Sequence, residues 1–295
     1  MSANHQHHSK NKKALMLSFI IIFTYMFVEV IGGILTNSLA LLSDAGHMLS
    51  DAVALGLSYV ALAFGEKKAT LTKTFGYKRF EILAAFINGL TLIGISVYIF
   101  YEAYRRIQDP PDVVSGGMLT IAVIGLIVNI IAAYILMSAD KEHNLNVKSA
   151  FLHVIGDLLG SVGAIVAALL ILFFGWNMAD PIASVVVAVL IIISGYRVTR
   201  DSFHILMEGA PRNLKVEDIR HSLLQIDGVK EVHDLHIWSI TSEFPALSCH
   251  LVIDDSISHQ KALAKANEIL QHTFHLKHTT IQIDLFGREC GDNCN

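Results

Sequence analysis

The sequence predicts an α-helical membrane protein with six transmembrane helices, followed by a small α+β domain. Three observations support this fold class. Hydrophobic residues make up 53% of the 295 residues and charged residues only 16%, against about 25% charged in an ordinary soluble domain. Long apolar stretches recur over the first two thirds of the chain. Charges are denser near the end of the chain. Residues 208–295 hold 8 Lys/Arg and 13 Asp/Glu, or 21 charges in 88 residues, whereas residues 1–207 hold 14 and 13, or 27 charges in 207 residues.

Six apolar stretches are long enough to cross a membrane. A bilayer core about 30 Å thick needs about 20 residues of helix, and a helix satisfies its own backbone hydrogen bonds in lipid. The predicted spans lie near 14–36, 38–64, 80–102, 115–137, 149–174 and 181–200. We therefore expect a His-containing N-terminal tail over 1–13, a membrane domain over 14–207, an α+β domain over 208–287 and a Cys-containing tail over 288–295.

The loop charges predict the orientation of the spans. Loop cations accumulate on the cytoplasmic side of a membrane. With the N-terminus inside, 12 loop Lys/Arg lie in the cytoplasm, and only Arg105 and Arg106 lie outside. Six spans then place both termini in the cytoplasm. The three cysteines form no disulfide framework and suit a reducing compartment, and the short loops favour a bacterial cytoplasmic membrane.

The segment after the last span alternates between helical and strand-like periods. Helical spacing over 216–227 and 259–274 surrounds two β-like runs, VKEVHDLHIWSIT and PALSCHLVID, and a third run, TTIQID, follows. The order α-β-β-α-β predicts a small sheet packed on two helices. Neither part of the chain carries the basic excess that nucleic-acid binding requires, so no nucleic-acid partner is expected.

Two predicted spans carry the same polar pair. The second span contains His47 and Asp51, and the fifth contains His153 and Asp157. Residues four apart lie on one face of a helix, one turn along it. An ionised Asp near the bilayer centre costs on the order of 3 kcal/mol, so such residues usually face the protein interior and serve function. If the two helices face each other, two imidazoles and two carboxylates converge; alternatively, each pair only holds the bundle together by hydrogen bonds.

This ligand set favours a metal that exchanges with protons. Two imidazoles and two carboxylates suit tetrahedral Zn²⁺, with cobalt and cadmium as alternatives. The empty site carries two negative charges in a low dielectric, so metal and protons compete for it. Exposure to each membrane face in turn would convert this competition into antiport. A zinc-gated passive channel or sensor is the alternative, whereas an enzyme is not expected because the chain has no H-E-x-x-H motif.

Five segments of the chain carry a family resemblance when taken together: FVEVIGGILTNSLALLSDAGHMLSDA, FGYKRFEILAAFINGL, HVIGDLLGS, MEGAP and VHDLHIWSIT. The sequence resembles the cation diffusion facilitators, specifically the cobalt-zinc-cadmium resistance type and the related vesicular zinc transporters. The resemblance implies a homodimer of six-helix protomers in a lipid bilayer, with a metallochaperone-like, ferredoxin-like cytoplasmic domain. It also implies export of Zn²⁺ from the cytosol in exchange for H⁺, through a transport site formed by His47, Asp51, His153 and Asp157.

The resemblance implies two further metal sites in the cytoplasm. A regulatory zinc site would be formed by His233, His250, His278 and Asp284. Cys290 and Cys294 resemble a C-terminal pair that chelates a second zinc, with an N-terminal histidine such as His7 as a further ligand.

Three more charged residues are expected to serve access to the transport site or coupling between domains. By resemblance, Arg79 and Glu208 match a charge interlock at the junction between membrane and cytoplasm. Asp44 lies three residues before His47, on the same helix face. It either controls ion access or accepts a hydrogen bond.

Overall fold

The structure, a computed structural model, describes residues 2–49, 52, 69–137, 145–241 and 244–285. Side chains are described for these residues except 2–15, 136 and 145–156. The described residues form two compact units. The helical unit comprises the described parts of 1–56 and 88–197, and the α+β unit comprises those of 57–87 and 198–295.

Six helices are described before the α+β domain. Their bounds are α1 Ser2–Thr36, α2 over 39–49, α3 Phe80–Gln108, α4 Ser115–Met137, α5 Leu145–Phe174 and α6 Ala179–Leu206. Residues 2–13, which were predicted as part of an N-terminal tail, belong to α1.

Five of the described helices are long and apolar enough to cross a membrane. Their apolar parts are Met16–Thr36, Phe80–Gln108, Ser115–Ile135, Asp157–Phe174 and Ala179–Leu206. They coincide with the first, third, fourth, fifth and sixth predicted spans. The second predicted span, 38–64, lies largely outside the described residues, although its part over 39–49 is helical. The total of six spans therefore stays a prediction.

Two helices extend beyond the C-terminal end of the apolar stretch that predicted them. α3 continues to Gln108, past the predicted end at 102, and α6 continues to Leu206, past 200. In α3 the added turn is stabilised by Glu102, whose carboxylate lies 3.3 Å from Arg105 Nη1 and 3.1 Å from Arg106 Nε. Ion pairs between residues three and four apart also stabilise a helix in water. Hydropathy alone therefore places the C-terminal end of such a helix too early.

Small side chains allow close packing inside the helical unit. A buried cluster joins α2, α4, α5 and α6, and alanines supply much of it: Ala40, Ala122, Ala164, Ala167, Ala168 and Ala179. On the adjoining face, Tyr25 of α1 lies directly against Gly125 of α4 and donates a hydrogen bond from its hydroxyl to the backbone oxygen of Ile121 at 2.7 Å. Lipid gives no hydrophobic drive for helix association, so close contact and such hydrogen bonds hold membrane helices together.

The α+β domain has the predicted order of elements. These are α7 Val216–Leu224, β1 Val229–Thr241, β2 Phe244–Ile253, α8 His259–His272 and β3 His278–Leu285. The sheet order is β1-β2-β3, with β1 and β2 antiparallel and β2 and β3 parallel. A parallel pair needs a crossover connection, which α8 provides. The sheet packs on α7 and α8 through a core that includes Leu223, Leu251, Ala266 and Leu270.

Candidate metal sites

The first candidate site lies between α2 and α5 in the helical unit. His47 Nε2 lies 3.9 Å from Asp157 Oδ1. The Asp157 side chain is fully buried, while 22% of the His47 side chain is exposed. The structure thus brings an imidazole of the second predicted span to a carboxylate of the fifth, as the paired motifs predict.

A glycine makes room for a second carboxylate at the same interface. Asp44 is 4% exposed, and a Cβ added to Gly160 would lie 2.8 Å from Asp44 Oδ1. From the Asp44–Gly160 contact to the His47–Asp157 contact, the residue number rises by three on α2 and falls by three on α5. The two helices therefore run antiparallel. Their polar faces meet over at least one turn.

The other two predicted ligands of this site fall outside what the structure describes. Asp51 is not among the described residues, and the side chain of His153 is not described although its backbone belongs to α5. Their part in a four-ligand site stays a prediction.

The second candidate site lies on the sheet of the α+β domain. His233 of β1 pairs directly with His250 of β2, and their ring centroids are 5.0 Å apart. Asp284 of β3 accepts a hydrogen bond from His250 Nδ1 at 3.0 Å, and its Oδ2 lies 3.7 Å from His233 Nε2. One ligand atom from each of the three residues lies within 4.8 Å of the other two. Two imidazoles and a carboxylate make three of the four ligands that zinc prefers.

Asp234 lies beside this cluster and was not among the predicted ligands. The β1–β2 register shifts between His233 and His236, and Asp234 has a φ of +50°. Because of this irregularity, the Asp234 carboxylate lies between two imidazoles. Its Oδ1 accepts a hydrogen bond from His236 Nε2 at 2.8 Å, and its Oδ2 lies 3.7 Å from His250 Nε2. The His236 hydrogen bond, with the nearby imidazoles, lowers the pKa of Asp234. The H-D-x-H spacing was a visible signal, but strand alternation alone would place Asp234 on the opposite face.

The remaining predicted cytoplasmic ligands do not join this cluster in the described structure. His278 pairs with Ala246, toward the other end of β3 from Asp284. Its ring contacts Phe75 and Phe244, with centroid distances of 5.6 and 5.5 Å. Cys290 and Cys294 lie outside the described residues, and the side chain of His7 is not described.

The predicted interlock residues are close together in the α+β unit. Arg79 Nη2 donates to Glu208 Oε1 at 3.1 Å. Glu208 has a φ of +60°, and the bonds from Gly209 N to His204 O and from Glu208 N to Ile205 O close the end of α6. This is the hydrogen-bond pattern of a Schellman cap. Both side chains are exposed, by 41% and 65%, so the ion pair itself contributes at most about 1 kcal/mol.

Apolar spans around a buried carboxylate that lies beside an imidazole define an integral membrane protein, and such a pair suits a cation. Comparison with known protein families identifies the class of membrane protein. Residues 15–207 match the cation efflux transmembrane domain, and residues 211–286 match the cytoplasmic domain of cation efflux proteins. The chain belongs to the cation efflux family.

Curated relatives match almost the whole chain. A cadmium, cobalt and zinc/H⁺-K⁺ antiporter of Bacillus subtilis is 56% identical over 96% of this chain and 92% of its own length. The zinc transporter ZitB of Pectobacterium atrosepticum is 43% identical over 100% of this chain and 92% of its own. A solved structure, the metal-bound C-terminal domain of the CzcD transporter of Cupriavidus metallidurans, aligns with 33% identity and a TM-score of 0.24 over 24% of this chain and 100% of that chain.

Proposed function

We propose that the protein is a secondary active transporter that exports Zn²⁺ from the cytoplasm in exchange for H⁺ by alternating access. The names of its relatives support this function, since they include a zinc/H⁺-K⁺ antiporter and a zinc transporter. The observation that carries the proposal is the approach of His47 Nε2 to Asp157 Oδ1, at 3.9 Å between two apolar helices. Neighbouring ligand atoms of a tetrahedral zinc ion lie about 3.3 Å apart, so a small inward shift would let both residues bind one ion.

Helical register supports Asp51 and His153 as the other two ligands. The Asp44–Gly160 and His47–Asp157 contacts advance three residues along α2 and go back three along α5. A further turn leads from 47 to 51 on one helix and from 157 to 153 on the other. We therefore propose that the same antiparallel interface carries Asp51 opposite His153.

Buried negative charge supports the exchange with protons. Glu29, Asp44 and Asp157 of the helical unit are exposed by only 1%, 4% and 1%. Carboxylates in such surroundings are costly unless a proton or a cation neutralises them. Zn²⁺ requires deprotonated ligands, so its arrival displaces protons and its departure allows them to return. With alternating access to the two faces, this competition couples zinc export to proton entry.

The ligand types support zinc ahead of other ions. Mg²⁺ and Ca²⁺ prefer all-oxygen sites, whereas imidazole suits zinc and neighbouring transition metals. Co²⁺ and Cd²⁺ belong to the proposal as further substrates, and K⁺ as a further counter-ion, because the Bacillus relative is named for all three.

We propose a regulatory zinc in the α+β domain, held by His233, His250 and Asp284. The donor set fits zinc, and the cluster already has suitable spacing. The ion would join three strands by their side chains and thereby stiffen this face of the sheet. The remaining parts of the proposal are a homodimer in the bacterial cytoplasmic membrane, with both termini in the cytoplasm, and His278 as a regulatory ligand in that dimer.

Transport by purified protein in sealed liposomes tests the proposed function. With an acidic interior and an internal zinc-sensitive dye, we expect zinc to accumulate against its own gradient and accumulation to stop when the pH gradient is collapsed. The His47→Ala and Asp157→Asn variants should fall to the level of empty liposomes, because each loses a ligand. The His221→Ala variant is the matched control, since His221 is an exposed residue of α7. Zinc flux that only follows the zinc gradient would instead identify a passive channel.

A further inference from the structure

The first turn of α2 is capped by a residue of another helix. The Ser38 hydroxyl accepts a hydrogen bond from Leu41 N at 3.3 Å, as an N-cap serine does. The backbone N–H groups of Leu39 and Ala40 donate instead to the carboxylate of Asp180, at 2.7 and 3.1 Å. Asp180 lies in the first turn of α6. Two of the donors that a helix start leaves without an intrahelical partner are thus satisfied by α6.

Both carboxylate oxygens of Asp180 take part, and the residue is 0% exposed. Oδ1 accepts from Ser38 Oγ at 2.6 Å as well as from Ala40 N, while Oδ2 accepts from Leu39 N and lies 3.8 Å from Arg106 Nη1. The hydrogen bonds described at the two oxygens come from N–H and O–H donors. The arrangement therefore suits a carboxylate that fixes structure. Negative charge is also favoured at a helix N-terminus, and a charged acceptor makes hydrogen bonds roughly twice as strong as a neutral one.

A second contact holds the same end of α2. Arg106, in the last turn of α3, donates to the backbone oxygen of Asn37 at 2.6 Å and to its Oδ1 at 3.2 Å. Glu102 holds the guanidinium in place through Nε at 3.1 Å. Asn37 forms the turn between α1 and α2 with a φ of +57°, a conformation that Asn adopts more readily than most residues. Arg106 therefore joins α3 to this turn, and Asp180 joins α6 to the helix that follows it.

We propose that Asp180 is a positioning residue for metal transport. By fixing the first turn of α2 to α6, it sets the position of His47 along the axis of α2 relative to Asp157. This inference rests on the proposed function. His47 lies nine residues after Ser38, which is about 13.5 Å along a helix. An α-helix keeps its rise over that distance, so a shift at its start moves His47 by the same amount. Binding constellations must be held within about 0.5 Å of their productive geometry, and loss of this cap releases that constraint.

The test measures zinc affinity and transport in Asp180 variants. The background carries His233→Ala and His250→Ala, so that the proposed regulatory site does not contribute. We expect Asp180→Ala to raise both the dissociation constant for zinc and the KM for transport about tenfold, the size of effect that loss of a strong cap can produce. Asp180→Asn should have a smaller effect, because its amide oxygen still accepts one N–H while its amide nitrogen opposes the other. Asp109→Asn is the matched control, since Asp109 is an exposed carboxylate of the α3–α4 connection.

Two further results decide whether Asp180 acts by position. Adding Ser38→Asp to Asp180→Ala returns a carboxylate to the start of α2, and it should restore zinc affinity toward that of the background protein. The pH midpoint of transport should be unchanged in Asp180→Asn. A shifted midpoint would identify Asp180 as a proton carrier and overturn the proposal. Unchanged zinc affinity in both Asp180 variants, with only a lower unfolding temperature, would overturn it as well.

The same assay separates this proposal from the proposed function. If His47→Ala and Asp157→Asn bind zinc as the background protein does, the transport site itself is wrong, whatever the Asp180 variants do. If those two variants lose zinc while both Asp180 variants keep it, the transport site stands and the positioning role fails.

Discussion

At the scale of single residues, the partners of each aspartate decide its role. Asp157 is buried beside an imidazole that can exchange a proton for a metal. Asp180 is equally buried, but its oxygens accept from backbone donors at the start of a helix. Asp234 lies on a strand irregularity beside two imidazoles. In one chain, the same type of side chain is therefore a proposed ion ligand, a helix cap and a neighbour of a candidate metal cluster.

Spacing in the sequence predicts the first of these roles directly, whereas the other two depend on contacts that spacing does not determine. The H-x3-D repeat predicts a shared helix face, because helical geometry fixes which residues lie one turn apart. The cap by Asp180 joins residues more than 140 positions apart, and no local pattern contains that information. The role of Asp234 depends on a register shift, which strand alternation does not predict.

Cys249 offers a residue-level prediction about pH. It is a buried residue of β2, and burial raises the pKa of its thiol to about 12. A raised pKa means that the folded state favours the neutral thiol. The neutral Cys249 thiol therefore contributes its full stabilisation below about pH 8.5, the ordinary thiol pKa. This stabilisation is lost as the pH rises toward 12. In a Cys290→Ser, Cys294→Ser background, we expect native Cys249 to be alkylated about a thousandfold more slowly than in the unfolded chain.

Mass spectrometry after timed iodoacetamide treatment measures this rate. The same background with Cys249→Ala is the control for labelling elsewhere. Equal rates in the folded and unfolded protein would show that Cys249 is not in the core of the sheet.

At the scale of elements, the antiparallel α2–α5 interface carries the proposed transport site. A glycine on α5 admits a carboxylate of α2, and the His47–Asp157 contact lies one turn away. Small residues let membrane helices approach closely, and here the close approach brings polar groups of both helices together.

Replacement of Gly160 tests this interface. The added methyl of Gly160→Ala would lie 2.8 Å from Asp44 Oδ1, whereas a methyl at Gly163 would meet nothing within 4 Å among the described residues. We expect Gly160→Ala to lower the free energy of unfolding by about 1–3 kcal/mol, as overpacking does, and to reduce zinc uptake. Gly163→Ala, on the same helix, should behave like the unchanged protein. Thermal unfolding in detergent and liposome uptake measure both effects, and indistinguishable variants would contradict the described packing.

The elements themselves were largely predictable. Continuous apolar runs predict membrane helices because lipid permits few other structures, and the alternation in VKEVHDLHIWSIT predicts β1 with the observed bounds. The helix ends were less predictable. α3 continues past the end of its apolar stretch, where Glu102 pairs with Arg105 and Arg106. α6 ends in a cap at Glu208, and a hydropathy pattern does not predict the positive φ of that residue.

At the scale of the whole molecule, each of the two units has a candidate metal site: the His47–Asp157 pair in one, and the cluster of His233, His250 and Asp284 in the other. In the helical unit the Asp157 side chain is fully buried, so a charge on it must be balanced by a proton or a cation. The cluster in the α+β unit is partly exposed, with side-chain exposures between 17% and 21% for its three residues, and water can compensate its charge. This difference in surroundings fits the proposed roles, with coupled transport at the first site and metal sensing at the second.

The most direct test of this account is the release of acid when zinc binds. The measurement uses the His233→Ala, His250→Ala protein in weakly buffered detergent near neutral pH, with zinc binding and proton release followed in the same titration. We expect about two protons to be released per zinc bound in the helical unit, and neither zinc binding nor proton release after Asp157→Asn. Tight zinc binding with no proton release would contradict it, because metal and protons would then not compete for the same side chains.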